Sequence, residues 1–275
     1  MQDNKNNNKN YNNKPQFFLP RIITIDGPGG VGKGTAARWV SRCLHWDWLD
    51  SGALYRLTAL AAAWAGLLEL NKNLDKILDK EMVLKISDLA KNLNLRIKFD
   101  YYSEPGEVFL DNQPVGGLIR SEKVGDMASQ IGVFKEVREA LYALQRSFYN
   151  PKALQSGLVT DGRDMGTVIF KEAPLKIFLT ASAQERAKRR QRQLNGAGLD
   201  VNIARLLEEI EARDTRDKSR TVAPLVPAEG AWIIDTSDLN PMQVCRLILN
   251  RAKEVFSLSD FNFDFNEFLK NLEIK

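Results

Sequence analysis

One stretch near the start of the chain decides its fold: Ile22-Ile23-Thr24-Ile25-Asp26-Gly27-Pro28-Gly29-Gly30-Val31-Gly32-Lys33-Gly34-Thr35. The β-branched residues at its start predict a buried strand, and a helical pattern begins near Lys33, directly after the glycines. The spacing Gly-x-x-x-x-Gly-Lys is that of a P-loop. An ordinary glycine-rich turn is the alternative, but strand, loop, lysine and helix occur in the order that a P-loop requires. The stretch therefore predicts a nucleotide-binding loop.

Each residue type in this loop has a physical role in holding phosphate. Glycines at 27, 29, 30, 32 and 34 let backbone N–H groups approach phosphate oxygens, and the helix that follows directs the positive end of its dipole at the same anion. Lys33 would add a mobile charge for the β- and γ-phosphates, and the hydroxyl of Thr35 could contact Mg²⁺. Gly34 stands where Ser or Thr normally follows the lysine. We expect the whole segment, Gly27 through Thr35, to bind the donor nucleotide.

The composition is that of an ordinary globular protein. Of 275 residues, 44% are hydrophobic and 27% charged, and the net charge of +4 does not by itself indicate a nucleic-acid partner. The two cysteines, Cys43 and Cys245, are too few for a disulfide framework and have no metal-ligand spacing. No apolar run reaches the ~18–20 residues of a membrane span, and the Asn/Lys-rich start lacks the apolar core of a signal peptide. These features predict a cytoplasmic chain whose residues 1–18 form a disordered tail.

Helices and strands alternate after the P-loop, which predicts a mostly parallel sheet wrapped by helices. Helices are expected over residues 53–70, continuing to 94, and over residues 122–148. Between them, 95–99 and 107–110 alternate with period two and predict a small antiparallel sheet, inserted into the main fold. Later helices are expected over 182–194, broken by Asn195-Gly196-Ala197-Gly198, over 200–217 with Asp200 as N-cap, and over 241–256 after a strand at 232–236.

Two further strands bring polar residues to the ligand crevice of such a sheet. The strand at 157–161 ends in Asp161, and the carboxyl ends of parallel strands face that crevice. The strand at 175–179 ends in Thr180, where an acid would look more like a Walker B residue, so Asp161 is the candidate second-sphere partner of Mg²⁺.

Arginines recur at the turns between these elements. Arg56 and Arg163 each follow a short apolar strand and a glycine-containing turn, so they occupy crevice positions. A solvated basic face is the alternative for any single arginine. The basic helix over 186–192 lacks the aromatic residues of a nucleic-acid surface and is better suited to cover a polyphosphate. Phosphoryl transfer to a phosphate acceptor needs no general base, so the single histidine, His45, is no obstacle.

The chain resembles the bacterial-type cytidylate kinases of the nucleoside monophosphate kinase family. The resemblance covers residues 22–256 and leaves both tails outside. Besides the P-loop it rests on Asp50-Ser51-Gly52-Ala53-Leu54-Tyr55-Arg56, Asp161-Gly162-Arg163-Asp164-Met165-Gly166-Thr167, Arg213-Asp214-x-Arg216-Asp217-x-x-Arg220 and Ala223-Pro224-Leu225.

This resemblance implies a P-loop kinase that transfers the γ-phosphoryl group of ATP to CMP and dCMP with Mg²⁺, in pyrimidine nucleotide metabolism. It implies a kinase domain over 19–257, with a monophosphate-binding insertion at about 71–121 and a lid at about 184–200, followed by a C-terminal tail at 258–275. A monomer without nucleic-acid or membrane partners is expected.

The resemblance also assigns residues. Arg56 and Arg163 would hold the CMP phosphate, Asp164 would accept from the cytosine amino group, and Arg138 would donate to N3 or O2. The transferring group or the ATP phosphates would be reached by Lys33, Arg163, Arg216 and the lid residues Arg189 and Arg190. The remaining residues of the CMP site would be Ser51, Gly52, Tyr55, Ser129, Arg213, Asp217 and Arg220. The alternatives are a kinase for another monophosphate such as UMP or AMP, and a nucleotide-binding module without turnover.

Overall fold

The computed structural model describes residues 19–68, 78–98, 107–152, 156–196, 198 and 201–258. Its strands are β1 (Ile22–Asp26), β2 (Asp47–Asp50), β3 (Leu95–Lys98), β4 (Glu107–Leu110), β5 (Gln113–Pro114), β6 (Leu158–Gly162), β7 (Leu175–Thr180) and β8 (Trp232–Asp235). Its helices are α1 (Lys33–Leu44), α2 (Ser51–Trp64), α3 (Lys80–Lys91), α4 (Gly116–Ile119), α5 (Glu122–Ile131), α6 (Lys135–Ser147), α7 (Ala183–Gly196), α8 (Ile203–Lys218) and α9 (Pro241–Phe256). A single π-helical turn spans Met165–Ile169.

The main sheet is parallel and has the strand order β2-β6-β1-β7-β8. Its central strand, β1, is buried along its whole length, as its apolar, β-branched sequence predicts for a strand covered on both faces. The expected architecture, a mostly parallel sheet wrapped by helices, is therefore confirmed.

Helices cover both faces of this sheet. One hydrophobic cluster joins α1 and α9 to the sheet through residues such as Val40 and Ile248, and a second joins α2, α5 and α6 through residues such as Leu57 and Leu141. None of the helices in the described ranges is long and apolar enough to cross a membrane.

The register of the central strands brings three chain segments to one edge of the sheet. Ile25 pairs with Asp161 between β1 and β6, and Asp50 pairs with the same Asp161 between β2 and β6. The P-loop, the start of α2 and the turn after β6 therefore begin side by side. This edge is where open α/β sheets bind their ligands.

The antiparallel insertion predicted from period-two alternation is present as the sheet β3-β4-β5. Asp111 and Asn112, both with positive φ, form the tight turn between β4 and β5. The expected helix at residues 71–77 and the strand residue Phe99 lie outside the described residues, as do the tails at 1–18 and 259–275. The domain boundaries stay predictions.

Several helix boundaries differ from the sequence expectation, and the helix expected to continue to 94 is interrupted after Trp64 and resumes as α3, which ends at Lys91. The helix expected over 53–70 begins earlier, at Ser51, and ends at Trp64, and the helix expected over 122–148 is two helices, α5 and α6, separated at residues 132–134. The basic helix continues through Asn195 to Gly196, because a single glycine at a helix end is tolerated. The N-cap of α8 is Asn202, whose side chain accepts from the N–H of Ala204, in place of the expected Asp200, which lies outside the described residues.

Candidate active site

A cavity of about 380 Å³ opens at the carboxyl edge of the sheet, between the P-loop and the helices α2, α5, α7 and α8. Its walls contain residues from the P-loop and from the blocks at 50–56, 161–167 and 213–220, but none from Ala223-Pro224-Leu225. Eight arginines and Lys33 contribute to the walls, together with acids that include Asp161, Asp164 and Asp217. A cleft that contains this many positive groups is suited to a multiply charged anion.

The P-loop has the geometry that phosphate binding requires. Lys33 is only 6% exposed, and its Nζ donates to the carbonyl of Pro28 at 2.6 Å. A side chain at Gly27 would collide with the carbonyl of Leu179, and Gly32, at φ 90°, precedes the first turn of α1. Burial, and then the neighbouring Arg163, lower the pKa of Lys33. A bound anion at the loop would favour the charged form of Lys33 and so raise its pKa again.

Asp26, at the end of β1, holds the segment that follows β6. Its two carboxylate oxygens accept from the backbone N–H groups of Met165 (2.9 Å) and Gly166 (2.8 Å). Burial raises the pKa of Asp26 to about 6, although the two hydrogen bonds favour the ionised form. These bonds fix the backbone next to Asp164, a role that the sequence analysis did not assign.

Arg163 and Arg213 approach the P-loop at the same point. A β-carbon at Gly29 would lie 3.7 Å from Nη2 of Arg163 and 4.0 Å from Nη1 of Arg213. Burial and the charge of Arg163 lower the pKa of Arg213 to about 9. Among the described residues, no side chain pairs with Arg213, and its buried Nε has no hydrogen-bond partner. Two guanidinium groups that repel each other beside a P-loop are chemically suited to phosphate oxygens.

Asp217 orients the arginines on the α8 side of the cavity. It accepts from Nε of Arg163 at 2.8 Å, from Nη2 of Arg220, and from the hydroxyl of Ser129 at 3.4 Å. Although burial opposes it, the charges of Arg163 and Arg220 lower the pKa of Asp217. The carboxylate is thus kept ionised while it is fully buried.

A second buried ion pair, Arg138 with Asp164, also lines the cavity. Arg138 donates through Nη2 to Asp164 and through Nη1 to the carbonyl of Gly132 at 2.9 Å. Its guanidinium also lies 5.5 Å from the centre of the Tyr55 ring. The pair therefore presents an acceptor and donors side by side, next to an aromatic face.

The start of α2 forms a further part of the cavity wall. Asp50 caps this helix by accepting from the N–H of Ala53 at 3.0 Å, which places Ser51 and Gly52 in the cavity wall. Arg56, one turn later, donates to the carbonyls of Ile119 (2.7 Å) and Ser121 (3.2 Å). Burial lowers the pKa of Arg56, which also lines the cavity.

Asp161, near the carboxyl end of β6, lies beside the first turn of α1. Its Oδ1 accepts from Nε1 of Trp48 at 2.9 Å, and its Oδ2 would lie 3.9 Å from a β-carbon at Gly34. Burial and the charge of Asp50 raise the pKa of Asp161 to about 7. A carboxylate and the hydroxyl of Thr35, both oxygen donors, fit Mg²⁺ bound mainly through nucleotide phosphates. No cluster of three or more acidic, His or Cys ligands occurs in the described part of the chain.

Helix α7, the predicted lid, contributes two arginines to the cavity, Arg186 and Arg190. Arg190 forms an ion pair with Glu122, so α7 contacts α5. Arg186 donates to the carbonyl of Gly29 in the P-loop at 3.2 Å and pairs with Asp214 of α8.

Two residues expected at the transferring group lie elsewhere in this conformation. Arg189 donates to the hydroxyl of Thr236 at 3.1 Å and to the carbonyl of Ser237 at 3.3 Å, beyond the end of β8. Arg216 donates to Asp126 at 2.9 Å, at the rim between α8 and α5. Neither residue lines the cavity.

The sequence analysis missed several residues that the structure places at the site. Arg186 belongs to the basic run that predicted the lid, and its spacing of four from Arg190 indicated a shared helix face. Asp26 and Asp214 stand within the quoted motifs, but the sequence analysis assigned them no role. No signal marked Trp48, Arg120 and Glu122, because their positions at the site depend on how distant segments meet.

Comparison with known proteins finds relatives that align over most of this chain. Cytidylate kinases from Colwellia psychrerythraea and Klebsiella pneumoniae are 48% and 46% identical over 228 and 240 residues, which cover 83% and 86% of this chain and 94% and 97% of theirs. A solved gluconokinase from Sinorhizobium meliloti 1021 aligns over 89% of this chain and 98% of its own, with 13% identity and a TM-score of 0.41, too low to bear on function. The family model described as "Cytidylate kinase" matches residues 23–254. The chain belongs to the cytidylate kinase family.

Proposed function

We propose that this protein transfers the γ-phosphoryl group of ATP to CMP, giving CDP and ADP, and that it also accepts dCMP. The observation that carries the proposal is the approach of Arg163 and Arg213 to Gly29 of the P-loop. A donor phosphate on the loop and an acceptor phosphate on these arginines would be neighbours, as in-line transfer requires.

The acceptor would lie with its base at the Arg138–Asp164 pair. Cytosine presents an amino donor at N4 and acceptors at N3 and O2, and these match a carboxylate beside a guanidinium. Tyr55 would contact the base, and Ser129, Asp217 and Arg220 would contact the ribose side. Ser51, Gly52 and Arg56 would complete the binding of the acceptor and its phosphate.

The donor would bind along the backbone from Gly27 to Thr35, with Lys33 following the β- and γ-phosphates. Positive groups fixed before the reaction stabilise the charge that spreads over the equatorial oxygens in the transition state. Lys33 leaves the carbonyl of Pro28 for the phosphates, and Arg190 leaves Glu122 when the lid covers the donor. Arg189 and Arg216 do not contact the phosphates in this arrangement.

Thr35 and Asp161 would hold Mg²⁺ at the donor phosphates. When bound, the ion neutralises phosphate charge and orients the nucleotide. Trp48 keeps one oxygen of Asp161 engaged, so the other oxygen is directed toward the first turn of α1.

Substitution of Lys33 tests this proposal. Lys33→Ala should lower kcat for CDP formation by about 10²–10³, the typical loss of one preorganised charged contact. The matched control is Lys188→Ala, a lysine of α7 that lies outside the cavity. A Lys33→Ala variant with the kcat of wild type would exclude this P-loop as the catalytic donor site.

A further inference from the structure

The side chain of Arg186, in the first turn of α7, joins this helix to the P-loop and to α8. Its Nε donates to the carbonyl of Ala181 at 3.2 Å, before α7 begins. Its Nη1 donates to the carbonyl of Gly29 at 3.2 Å and to Oδ1 of Asp214 at 3.0 Å, and its Nη2 donates to Oδ2 of Asp214 at 2.6 Å. Arg186 is only 4% exposed.

These contacts use four of the five N–H donors that a guanidinium possesses. The two bonds to Asp214 form a bidentate pair, which fixes the plane of the guanidinium as well as its position. An arginine bound in this way has little capacity left for a substrate. Its effect on the reaction must come mainly from the group it holds, the carbonyl of Gly29.

The carbonyl of Gly29 and the N–H of Gly30 belong to one planar peptide unit. In a trans peptide they point in opposite directions, so a bond that holds the carbonyl toward Arg186 directs the N–H away from it. Glycines on both sides leave this unit free to rotate in isolation. The N–H of Gly30 is one of the P-loop donors expected to face phosphate.

We propose that Asp214 is a positioning residue for the donor nucleotide. It acts through Arg186, which fixes the peptide between Gly29 and Gly30 in the orientation that binds phosphate. The same helix carries Arg213 and Asp217 on the acceptor side, so α8 contacts both substrate sites while Asp214 serves only the donor. This inference rests on the proposed function, because it takes the P-loop as the ATP site.

Separate titrations of the two nucleotides test the proposal. Asp214→Asn keeps the shape of the side chain but loses one of the two acceptors, and Arg186→Lys keeps the charge but loses the bidentate geometry. The control is Glu211→Gln, which removes one charge from the exposed face of the same helix. Dissociation constants are measured by calorimetry for a non-hydrolysable ATP analogue and for CMP, with thermal unfolding to verify that each variant is folded.

We expect Asp214→Asn and Arg186→Lys to weaken binding of the ATP analogue by about tenfold, the loss typical of one charged hydrogen bond. The dissociation constant for CMP should stay within about twofold of wild type, and Glu211→Gln should match wild type for both ligands. Equal weakening of both nucleotides, or no weakening of either, overturns the proposal. If Asp214→Asn does not fold, Arg186→Lys decides the question by the same criterion. A wild-type protein that binds neither nucleotide would instead contradict the proposed function.

Discussion

Asp217 and Arg163 are joined by an ion pair that spans 54 residues of sequence, with Nε of Arg163 2.8 Å from Oδ2 of Asp217. Asp217 is fully buried, whereas the side chain of Arg163 remains 18% exposed toward the cavity. The acid therefore orients the arginine without covering all of its donors. Asp217 accepts from Nε of Arg163, whereas Nη2 of Arg163 is the atom that approaches Gly29 in the P-loop.

This arrangement predicts a large difference between two arginines that the sequence placed in one group. Arg163→Ala should lower kcat by about 10²–10³, because a preorganised charge at the phosphates is lost. Arg189→Ala should lower it by less than about tenfold, since Arg189 contacts Thr236 and Ser237 instead. Steady-state rates with ATP and CMP measure both effects. A larger loss for Arg189→Ala would show that the lid carries this residue into the site during turnover.

Asp26 predicts a pH dependence of stability on the acid side of neutrality. Its pKa in the folded protein, about 6, lies above the value of 3.8 that an exposed aspartate has. The folded state therefore binds more protons than the unfolded state between these values, so this group makes the protein less stable as the pH rises from about 4 to 6. The full effect is roughly 3 kcal/mol.

Urea unfolding of wild type and Asp26→Asn at several pH values measures this contribution. The free energy of unfolding of wild type, minus that of the variant, should decrease from pH 4 to pH 6.5 and then stay constant. Asp217 has a lowered pKa, so its contribution is lost only as the pH falls below about 4, and the two windows are separate. Parallel pH profiles for wild type and Asp26→Asn would contradict the assignment.

Asp164 predicts the selectivity between pyrimidines. Uracil presents a carbonyl where cytosine presents an amino group, so the carboxylate of Asp164 would face a second acceptor. Asp164→Asn keeps one oxygen for Arg138 and gains an amide that can donate to uracil. A site that hydrogen-bonds the polar edge of the base discriminates between the two pyrimidines more strongly than the ~10–200-fold achieved by a pocket that recognises shape alone.

We therefore expect Asp164→Asn to lower kcat/KM for CMP much more than for UMP. The measurement is kcat/KM for both acceptors at saturating ATP. Loss by the same factor for both would assign Asp164 to a structural role, since removing one partner of the buried pair with Arg138 also destabilises the protein.

The lid predicts a change in backbone protection on substrate binding. The Arg190–Glu122 pair is partly exposed and therefore weak, so phosphates can replace Glu122 as the partner of Arg190. Amide exchange over residues 186–196 should slow when a bisubstrate analogue that joins adenosine and cytidine through phosphates is bound. Peptides from β1 provide the reference. Unchanged exchange in this helix would contradict closure.

The sequence was most informative where function depends on neighbouring residues. The P-loop, the block from Asp50 to Arg56 and the Arg163-Asp164 turn are local sequence patterns, and each of them contributes residues to the cavity wall. The parallel sheet followed from the alternation of elements, because a P-loop strand must be covered on both faces.

The other features of the site depend on contacts between segments that are distant in the sequence. Adjacent residues of a helix point about 100° apart, and the sequence did not show that Arg190 would line the cavity whereas Arg189 would turn toward Thr236. The contact of Asp26 with Met165 and Gly166 follows from the pairing of β1 with β6, and that of Trp48 with Asp161 from the pairing of β2 with β6. Neither of these strand pairings can be predicted from a local sequence pattern.

The central claim is that the cavity is an acceptor site for cytidine monophosphates opposite an ATP-binding P-loop. The most direct test is the initial rate of ADP formation by the wild-type protein with ATP, Mg²⁺ and one acceptor at a time: CMP, dCMP, UMP or AMP. We expect kcat/KM to be highest for CMP, followed by dCMP, with UMP and AMP lower by more than about 10². Equal rates for all four, or ADP formation that does not depend on any acceptor, would contradict the account.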